Sequence, residues 1–240
     1  MGIGRIAGRT MAVLEREGVW GTVIRVVKYL RVMAGFPPRD YVEYERRREE
    51  EARAYDGKLG LDTGGTRQMF DLTIDSANAV HAGPFIASSP EQFRNVMRAL
   101  DIDPAGCTFV DLGAGKGRGL LLAAEYPFKA ITGVEFAKEL HAICQQNLAR
   151  VGDPRITCEH GDAELFTYPE GDFVVYMNNP FDRPLVEKIA RRLEATVREN
   201  PRTMRLLYIN PPETDLFEKA PWFHVGSSEG GEVFGQHLAG

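Results

Sequence analysis

The feature that most constrains this chain is a glycine-rich turn at the junction of a predicted strand and a predicted helix. Residues 109–118 read FVDLGAGKGR, in which Gly113, Gly115 and Gly117 alternate with other residues. Glycine lets a backbone turn tightly and lets a ligand approach closely, because it carries no Cβ. In open parallel α/β sheets, ligands bind outside the carboxyl ends of the strands. The turn therefore predicts a ligand site at that edge of such a sheet.

Strand and helix patterns alternate along most of the remaining sequence. A helix is expected to start after Ser89, whose side chain would cap the first turn, with Pro90 as its first residue. Strands that alternate with amphipathic helices form crossover units. The predicted fold is therefore an α/β, doubly wound, mostly parallel sheet of seven strands. The predicted strands span residues 108–112, 130–136, 156–159, 173–177, 204–209, 222–225 and 232–237, and the predicted helices span 90–100, 118–125, 137–150 and 184–199.

The N-terminal part of the chain differs from the rest in charge and in pattern. Residues 1–32 carry six basic and two acidic side chains, whereas the whole chain has a net charge of −5. An apolar stripe at helical spacing predicts helical structure within residues 1–54, and residues 1–85 as a whole are expected to form a helical extension or lid before the main domain at 86–240. We expect the stripe to pack on that domain or to form a homodimer contact, with an acidic partner or a membrane surface as the alternative. The stripe consists of Val19, Trp20, Val23, Ile24, Val27, Leu30 and Met33.

Composition limits the class of protein and its partners. No run of 18 apolar residues is present and the N-terminus has no signal-peptide pattern, so we expect no transmembrane segment. Three cysteines without CxxC spacing predict a reducing, cytoplasmic location without disulfides, and the five histidines show no metal-ligand spacing. The negative net charge argues against non-specific binding of nucleic acid, so no nucleic-acid partner is expected.

The pattern Asp-x-Gly-x-Gly-x-Gly at residues 111–117 resembles motif I of class I S-adenosylmethionine (SAM)-dependent methyltransferases, and the resemblance runs from about residue 84 to 210. It implies SAM as the cofactor and an antiparallel last strand. It also implies that Asp111 holds the methionine part of SAM beside the three glycines. A dinucleotide-binding turn would instead place its third glycine at 118, where Arg118 stands. A carboxylate in the turn also suits a cationic ligand and repels a pyrophosphate.

Two further acidic residues stand where this resemblance implies contacts with SAM. Glu135 lies at the end of the second predicted strand, where an acid accepts hydrogen bonds from the ribose hydroxyls. Rossmann-type dehydrogenases also place an acid there, so Glu135 does not separate the two families. Asp162 follows the third strand, where an acid in the family accepts a hydrogen bond from the adenine amino group. Each acid has a simpler interpretation: a solvated strand end for Glu135, and an Asx turn or helix cap for Asp162.

The sequence YMNNPF at residues 176–181 follows the fourth strand, where class I methyltransferases place the loop that faces the methyl group and the acceptor. It is similar to the Asp/Asn/Ser-Pro-Pro-Tyr/Phe motif of enzymes that methylate planar amino groups, except at the second position. It also loosely resembles the Asn-Asn-Phe loop of histone lysine methyltransferases with this fold. The resemblance implies that Asn178, Asn179 and Phe181 are catalytic residues, with Asn178 also at the cofactor. The simpler interpretation is a strand-ending turn.

These features predict an enzyme that transfers the SAM methyl group to a nucleophile, with nitrogen favoured, of a small molecule or of a peptide or protein lysine. The alternatives are an O-methyltransferase of a small metabolite, an NAD-dependent oxidoreductase and a non-catalytic SAM-binding module. For an oxygen acceptor, His81 is the candidate general base. Ser88 is a further candidate at the cofactor, and the loop at residues 57–65 is interpreted either as a plain loop or as a segment that folds over the site.

Overall fold

The computed structural model describes residues 19–20, 23, 27, 31, 36, 38–68, 71–211, 214–218, 221–228 and 230–236. Its contacts divide the chain into two units, Met1–Glu50 and Glu51–Gly240. Helix α1 covers Arg39–Gly57. In the first unit, the stripe residues Val19, Trp20, Val23 and Val27 are helical and exposed. The other members of the predicted stripe, Ile24, Leu30 and Met33, lie outside the described residues, so the packing or dimer contact expected of the stripe stays a prediction.

Two sheets form in the second unit. The smaller one pairs β1 (Thr66–Arg67) with β2 (Phe85–Ile86) in antiparallel orientation. The larger one consists of β3 (Thr108–Leu112), β4 (Ala130–Glu135), β5 (Ile156–His160), β6 (Phe173–Asn178), β7 (Met204–Ile209), β8 (Trp222–Ser228) and β9 (Gly231–Gln236). Its strand order is β5–β4–β3–β6–β7–β9–β8, and β9 runs in the direction opposite to the other six strands. The predicted seven-stranded, mostly parallel sheet with an antiparallel last strand is confirmed.

Helices cover both faces of the large sheet, so the fold is doubly wound as predicted. Helices α2 (Pro90–Arg98), α3 (Arg118–Ala123) and α4 (Lys138–Val151) contribute to a core on one face, which also receives Phe109 of β3. Helix α5 (Arg183–Glu199) packs on the other face, where it joins Val110. Successive side chains of a strand point to opposite faces, so adjacent residues of β3 serve the two cores.

The strand order reverses beside β3. The chain runs outward from β3 to β4 and β5, and then returns to form β6 on the other side of β3. The loops that follow β3 and β6 therefore leave the sheet at a topological switch point, where open α/β sheets bind ligands. The glycine turn at residues 113–117 and the loop at residues 179–182 are those two loops, which places the two strongest sequence motifs side by side.

Residues 51–85 belong to the same unit as the large sheet. They fall within the predicted N-terminal extension, whose boundary at residue 85 stays a prediction. Their contacts with the sheet domain include isolated β-bridges from Ile74 to Ala137 and from Ala82 to Phe181. The helix start that was predicted next is confirmed, because Ser89 accepts a hydrogen bond from the Gln92 N–H at 3.4 Å.

Three findings about membrane spans, metals and cysteines concern the described part of the chain. No helix in it is long and apolar enough to cross a membrane. No group of three or more His, Cys, Asp or Glu side chains among these residues is arranged to hold a metal ion. Cys107, Cys144 and Cys158 are all buried, and none of them forms a disulfide.

Candidate functional site

A cleft opens at the carboxyl ends of β3, β4 and β6. Together with its part open to solvent it encloses about 620 Å³. Of the predicted site residues, Asp111, Gly113, Gly115, Glu135, Asn178 and Phe181 line it. Gly117, Asp162 and Asn179 are not among the lining residues. The cleft thus brings together the predicted residues that follow the first, second and fourth predicted strands.

The glycines of the turn all have positive φ values, which side chains other than glycine rarely adopt. The values are 84° at Gly113, 56° at Gly115 and 90° at Gly117. A Cβ on Gly113 would lie 2.9 Å from Pro180, and one on Gly115 would collide with the Phe85 ring. A Cβ on Gly117 would lie 2.8 Å from a cysteine sulfur of α4, away from the cleft. Two glycines therefore shape the cleft, and the third permits the close packing of α4.

Asp111 is a buried carboxylate without a partner. It is only 3% exposed and lines the cleft, and within the part of the chain that the structure describes no donor forms a hydrogen bond with its side chain. Burial raises the pKa of Asp111 well above its usual range, and the negative charge of Glu135 raises it further. Because a buried charge without compensation is costly, this carboxylate is suited to a cationic ligand.

Glu135 is buried as well, but its carboxylate is held by the backbone. Its Oε2 accepts a hydrogen bond from the Gly115 N–H at 2.8 Å, and its Oε1 accepts one from the Ala137 N–H at 2.8 Å. Burial raises the pKa of Glu135 to about 7, although these backbone donors lower it. The two bonds fix the direction of the carboxylate, and its oxygens keep lone pairs for hydroxyl donors.

The carboxylate of Asp162 accepts its hydrogen bonds from within the protein. It accepts hydrogen bonds from the Ser76 hydroxyl, from Asn78 Nδ2 at 2.9 Å and from the Glu164 N–H at 2.8 Å. It also caps the short 3₁₀ helix Ala163–Leu165. This is the capping arrangement that the sequence offered as the simpler interpretation, and a contact with adenine stays a prediction.

Asn178 is the polar residue of the acceptor loop that lines the cleft. Its Nδ2 donates to the Ile86 carbonyl and to Ser88 Oγ, both at 3.3 Å, and its Oδ1 accepts from Asn210 Nδ2 at 3.4 Å. Phe181 is buried and lines the same cleft, whereas Asn179 is exposed with a φ of 45°. Of the three residues predicted to be catalytic, Asn178 and Phe181 thus line the cleft and Asn179 turns the chain, and the catalytic role of all three stays a prediction.

Two buried cations of the glycine turn bind the preceding loop, which sequence reasoning missed. Lys116 Nζ donates to Asp62 Oδ1 at 2.7 Å and to the Gly64 carbonyl at 2.9 Å. Arg118 Nε donates to Thr63 Oγ1 at 2.7 Å. The loop at 57–65, for which the sequence left two interpretations, is therefore fixed on the turn. The signal was present as two cations in and next to the glycine turn and as an aspartate in the sequence LDTGG at 61–65.

A second set of contacts ties the candidate base to the acceptor loop. His81 Nδ1 lies 2.9 Å from Asp182 Oδ1, and the Asp182 N–H donates to the His81 carbonyl at 2.8 Å. The Gly83 N–H also donates to the Pro180 carbonyl at 2.9 Å. His81 itself does not line the cleft. These bonds hold the segment before β2 against the loop after β6.

Comparisons with known proteins give a family match within this domain and several similar solved structures. Residues 109–200 match a family model described as a methyltransferase domain, and no curated protein matches the chain. The YcgJ protein of Bacillus subtilis is 19% identical over 53% of this chain and 55% of its own, with a TM-score of 0.41. Mitomycin 7-O-methyltransferase MmcR is 17% identical over 63% and 54%, with a TM-score of 0.47. A putative RNA methyltransferase from Pyrococcus horikoshii is 16% identical over 80% and 98%, with a TM-score of 0.49. The chain spans about half the length of the first two proteins.

Proposed function

We propose that this chain, whose residues 109–200 match a family model described as a methyltransferase domain, is a class I SAM-dependent methyltransferase that methylates a nitrogen atom of a small molecule or of a peptide or protein lysine. The observation that carries the proposal is Asp111, a carboxylate that is 3% exposed, unpaired within the described residues and open to the cleft. A buried anion of this kind requires a cation, and SAM supplies an ammonium group and a sulfonium group.

The residues of the cleft fit SAM in chemistry. Asp111 would hold the ammonium of the methionine part, and the backbone of Gly113 and Gly115 would allow that part to approach without a Cβ in its path. Glu135, held by two backbone N–H groups, would accept hydrogen bonds from the ribose hydroxyls. The bound donor supplies an activated methyl group whose leaving group is a neutral thioether.

The contribution of the protein to such a transfer is alignment and exclusion of water. A direct displacement needs the nucleophile in line with the methyl–sulfur bond, so holding both reactants in that geometry lowers the barrier. Phe181 and Phe136 pack edge to face, with their ring centroids 6.3 Å apart, and both residues line the cleft. These rings would shield the reacting atoms from water.

The orientation of Asn178 supports a nitrogen acceptor. A backbone carbonyl can only accept hydrogen bonds, so the contact with the Ile86 carbonyl requires Nδ2 on that side. Oδ1 must then face Asn210, whose Nδ2 donates to it at 3.4 Å, and it keeps one lone pair. That lone pair can accept a hydrogen bond from an attacking N–H and direct the nitrogen lone pair towards the methyl group.

An oxygen acceptor would require a base that removes the hydroxyl proton in the transition state. His81, paired with Asp182 at 2.9 Å, is the candidate next to the acceptor loop, but it is outside the lining of the cleft. A nitrogen nucleophile needs only an acceptor for its N–H, which Asn178 provides. The arrangement therefore favours nitrogen.

The test is methyl transfer from SAM labelled on its methyl group to fractionated cell lysate, with the label traced to protein or to small molecules and then to the atom that carries it. We expect the label in amines or amides that survive mild base. Label confined to hydroxyl or carboxyl groups would contradict the nitrogen assignment. Binding of SAM without transfer to any fraction would indicate a binding module, and stabilisation by NAD but not by S-adenosylhomocysteine would indicate an oxidoreductase.

A further inference from the structure

We propose that the N-terminal segment of this chain binds the surface of an anionic membrane, through apolar side chains on one helix face and the basic residues that accompany them. The inference goes beyond the proposed function, because it concerns residues outside the cleft. Its structural basis is a set of four residues, which we call the exposed stripe: Val19, Trp20, Val23 and Val27. Its electrostatic basis is the charge of residues 1–32.

The side chains of the exposed stripe are open to solvent and share one helix face. The exposed fraction is 66% for Val19, 80% for Trp20, 43% for Val23 and 49% for Val27. All four residues are helical, the three valines are four residues apart, and Trp20 precedes Val23 by three residues. Side chains at these spacings are neighbours on a helix surface. A row of exposed apolar side chains of this kind marks a surface that contacts a partner or a membrane.

Aromatic side chains at this surface favour a membrane. Tryptophan combines an apolar ring with a polar N–H, and it is enriched where a membrane meets water. Trp20 has this position at the surface, and Phe36, which is 73% exposed, lies at the helix end because its N–H donates to the Arg31 carbonyl at 2.8 Å. The second tryptophan, Trp222, is 3% exposed, and its Nε1 donates to Glu194 at 2.8 Å. One tryptophan therefore belongs to the core and the other to the exposed stripe.

The charge of the segment matches an anionic surface. Residues 1–32 carry six basic and two acidic side chains, a net charge of +4, although the whole chain has a net charge of −5. Anionic lipids attract each Lys or Arg near the bilayer surface, with an effect of about fivefold on affinity. Arg31 is helical and exposed one turn after Val27. Its long side chain can therefore reach lipid phosphates while the valines lie deeper.

Two other occupants of the exposed stripe match the segment less well. Self-association would bring two segments of net charge +4 together, and like charges repel. An acidic protein surface would compensate the charge, but it offers no apolar phase for three valines and a tryptophan. An anionic bilayer offers both a charged surface and an apolar interior, which is how amphipathic helices with basic residues bind at membranes. The membrane is therefore the occupant that accounts for both properties.

The test is titration of the full chain with vesicles, followed by tryptophan fluorescence. The vesicles consist of phosphatidylcholine alone or of an equal mixture of phosphatidylcholine and phosphatidylglycerol. Because Trp222 is buried in the core, a change of emission on binding reports on Trp20. We expect a blue shift, and quenching by lipids brominated in their acyl chains, with the anionic vesicles. Their partition coefficient should be at least about tenfold higher than that of the neutral vesicles, and it should fall as salt is added.

The double variant Val23→Thr/Val27→Thr tests the apolar face without changing charge or side-chain shape. We expect its partition coefficient for the anionic vesicles to fall about tenfold, because two methyl groups that would enter the bilayer are replaced by hydroxyls. Val80→Thr is the matched control, since Val80 is 53% exposed but belongs to the second unit. It should leave the partition coefficient unchanged. Affinity for S-adenosylhomocysteine should stay within about twofold in both variants.

Several outcomes would overturn the inference. One is equal binding to both kinds of vesicle, or an unchanged tryptophan emission. Another is a dimer of the unaltered chain in sedimentation velocity that the double variant abolishes, because the exposed stripe would then be a contact between two copies. Binding to polyglutamate as tightly as to the anionic vesicles would indicate an acidic protein partner instead. A chain that binds anionic vesicles but not S-adenosylhomocysteine would leave this inference standing and contradict the proposed function.

Discussion

The two halves of the cleft differ in how their polar groups are arranged. On the donor side, Asp111 at the end of β3 is buried and has no hydrogen bond within the described residues. On the acceptor side, Asn178 at the end of β6 uses both ends of its amide, with contacts to Ile86, Ser88 and Asn210. The donor side thus needs its ligand to balance a charge, while the acceptor side is oriented by the protein itself. Substitutions on the two sides should therefore change binding and stability in different ways.

The largest effect is expected for Asp111→Asn. The change removes the only charge proposed to meet the donor's ammonium, so affinity for S-adenosylhomocysteine should fall on the order of 100-fold. The melting temperature of the ligand-free protein should rise, because an uncompensated buried carboxylate is lost. Titration calorimetry and thermal unfolding measure the two effects on one sample.

Asp162→Asn is the control for the stability effect. Its carboxylate accepts hydrogen bonds from Ser76 and Asn78, so the substitution should lower stability by about 1–3 kcal/mol. Melting temperatures that shift in the same direction in both variants would show that the unpaired state of Asp111 is not what distinguishes it.

Gly115→Ala should weaken ligand binding on the donor side by a steric clash, without a change of charge. The added Cβ would collide with the Phe85 ring at a backbone φ of 56°. We expect a loss of stability of about 1–3 kcal/mol from the strained backbone, and at least about tenfold weaker binding of S-adenosylhomocysteine.

Gly152→Ala provides the matched comparison. It has a φ of 67°, but no atom lies within 4 Å of its added Cβ. Its cost should be the backbone term of about 1–2 kcal/mol, with unchanged ligand affinity. A similar loss of affinity in both variants would argue that Gly115 matters for folding and not for the cleft.

The pH dependence of stability and of ligand affinity tests the role of Glu135 on the donor side. The pKa of Glu135 is raised from 4.5 to about 7 by burial, so between these values the folded state holds more protons than the unfolded state. Stability from this group is therefore full below about pH 4.5 and is lost as pH rises towards 7, by about 3 kcal/mol at most. Affinity for S-adenosylhomocysteine should rise over the same range, because the ionised carboxylate is the stronger acceptor for the ribose hydroxyls.

Glu135→Gln should make both pH curves shallower, leaving the slope that comes from Asp111, whose pKa burial also raises. Chemical denaturation of the ligand-free protein from pH 5 to 8 gives the stability, and titration calorimetry gives the affinity. If the variant kept the same slopes, another group would have to carry the dependence.

The smallest effect is expected on the acceptor side. Sinefungin carries an amino group at the position of the transferred methyl, so it reports whether an acceptor faces that point without any knowledge of the substrate. Asn178→Ala should reduce the preference for sinefungin over S-adenosylhomocysteine by about fivefold, the effect of one hydrogen bond. Asn179→Ala, which alters an exposed residue of the same loop, should leave that preference unchanged. An unaltered preference in Asn178→Ala would remove the support for a nitrogen acceptor.

The part of the site that could be predicted from sequence is the part fixed by single strands and their ends. Strand β3 begins and ends at the predicted residues, and Asp111 and Glu135 reach the cleft because their strands are parallel neighbours. Local patterning was sufficient there, since each side chain needs only its own strand for its position.

The remaining features depend on contacts between distant segments. Asp162 accepts hydrogen bonds from Ser76 and Asn78, which precede it by 86 and 84 residues. No local sequence pattern predicts these hydrogen bonds. Arg118 was interpreted only as a residue that excludes a dinucleotide motif, while its partner Thr63 lies 55 residues away. A buried cation in a ligand-binding turn requires compensation from elsewhere in the chain. Sequence reasoning identifies the need but not the segment that meets it.

A crystal structure of the full chain with S-adenosylhomocysteine would show directly whether Asp111 and Glu135 receive the ligand. We expect the ligand's amino group within hydrogen-bond distance of Asp111 and its ribose hydroxyls at Glu135. A ligand bound elsewhere, or an amino group that contacts neither acid while Asp111 stays unpaired, would contradict it.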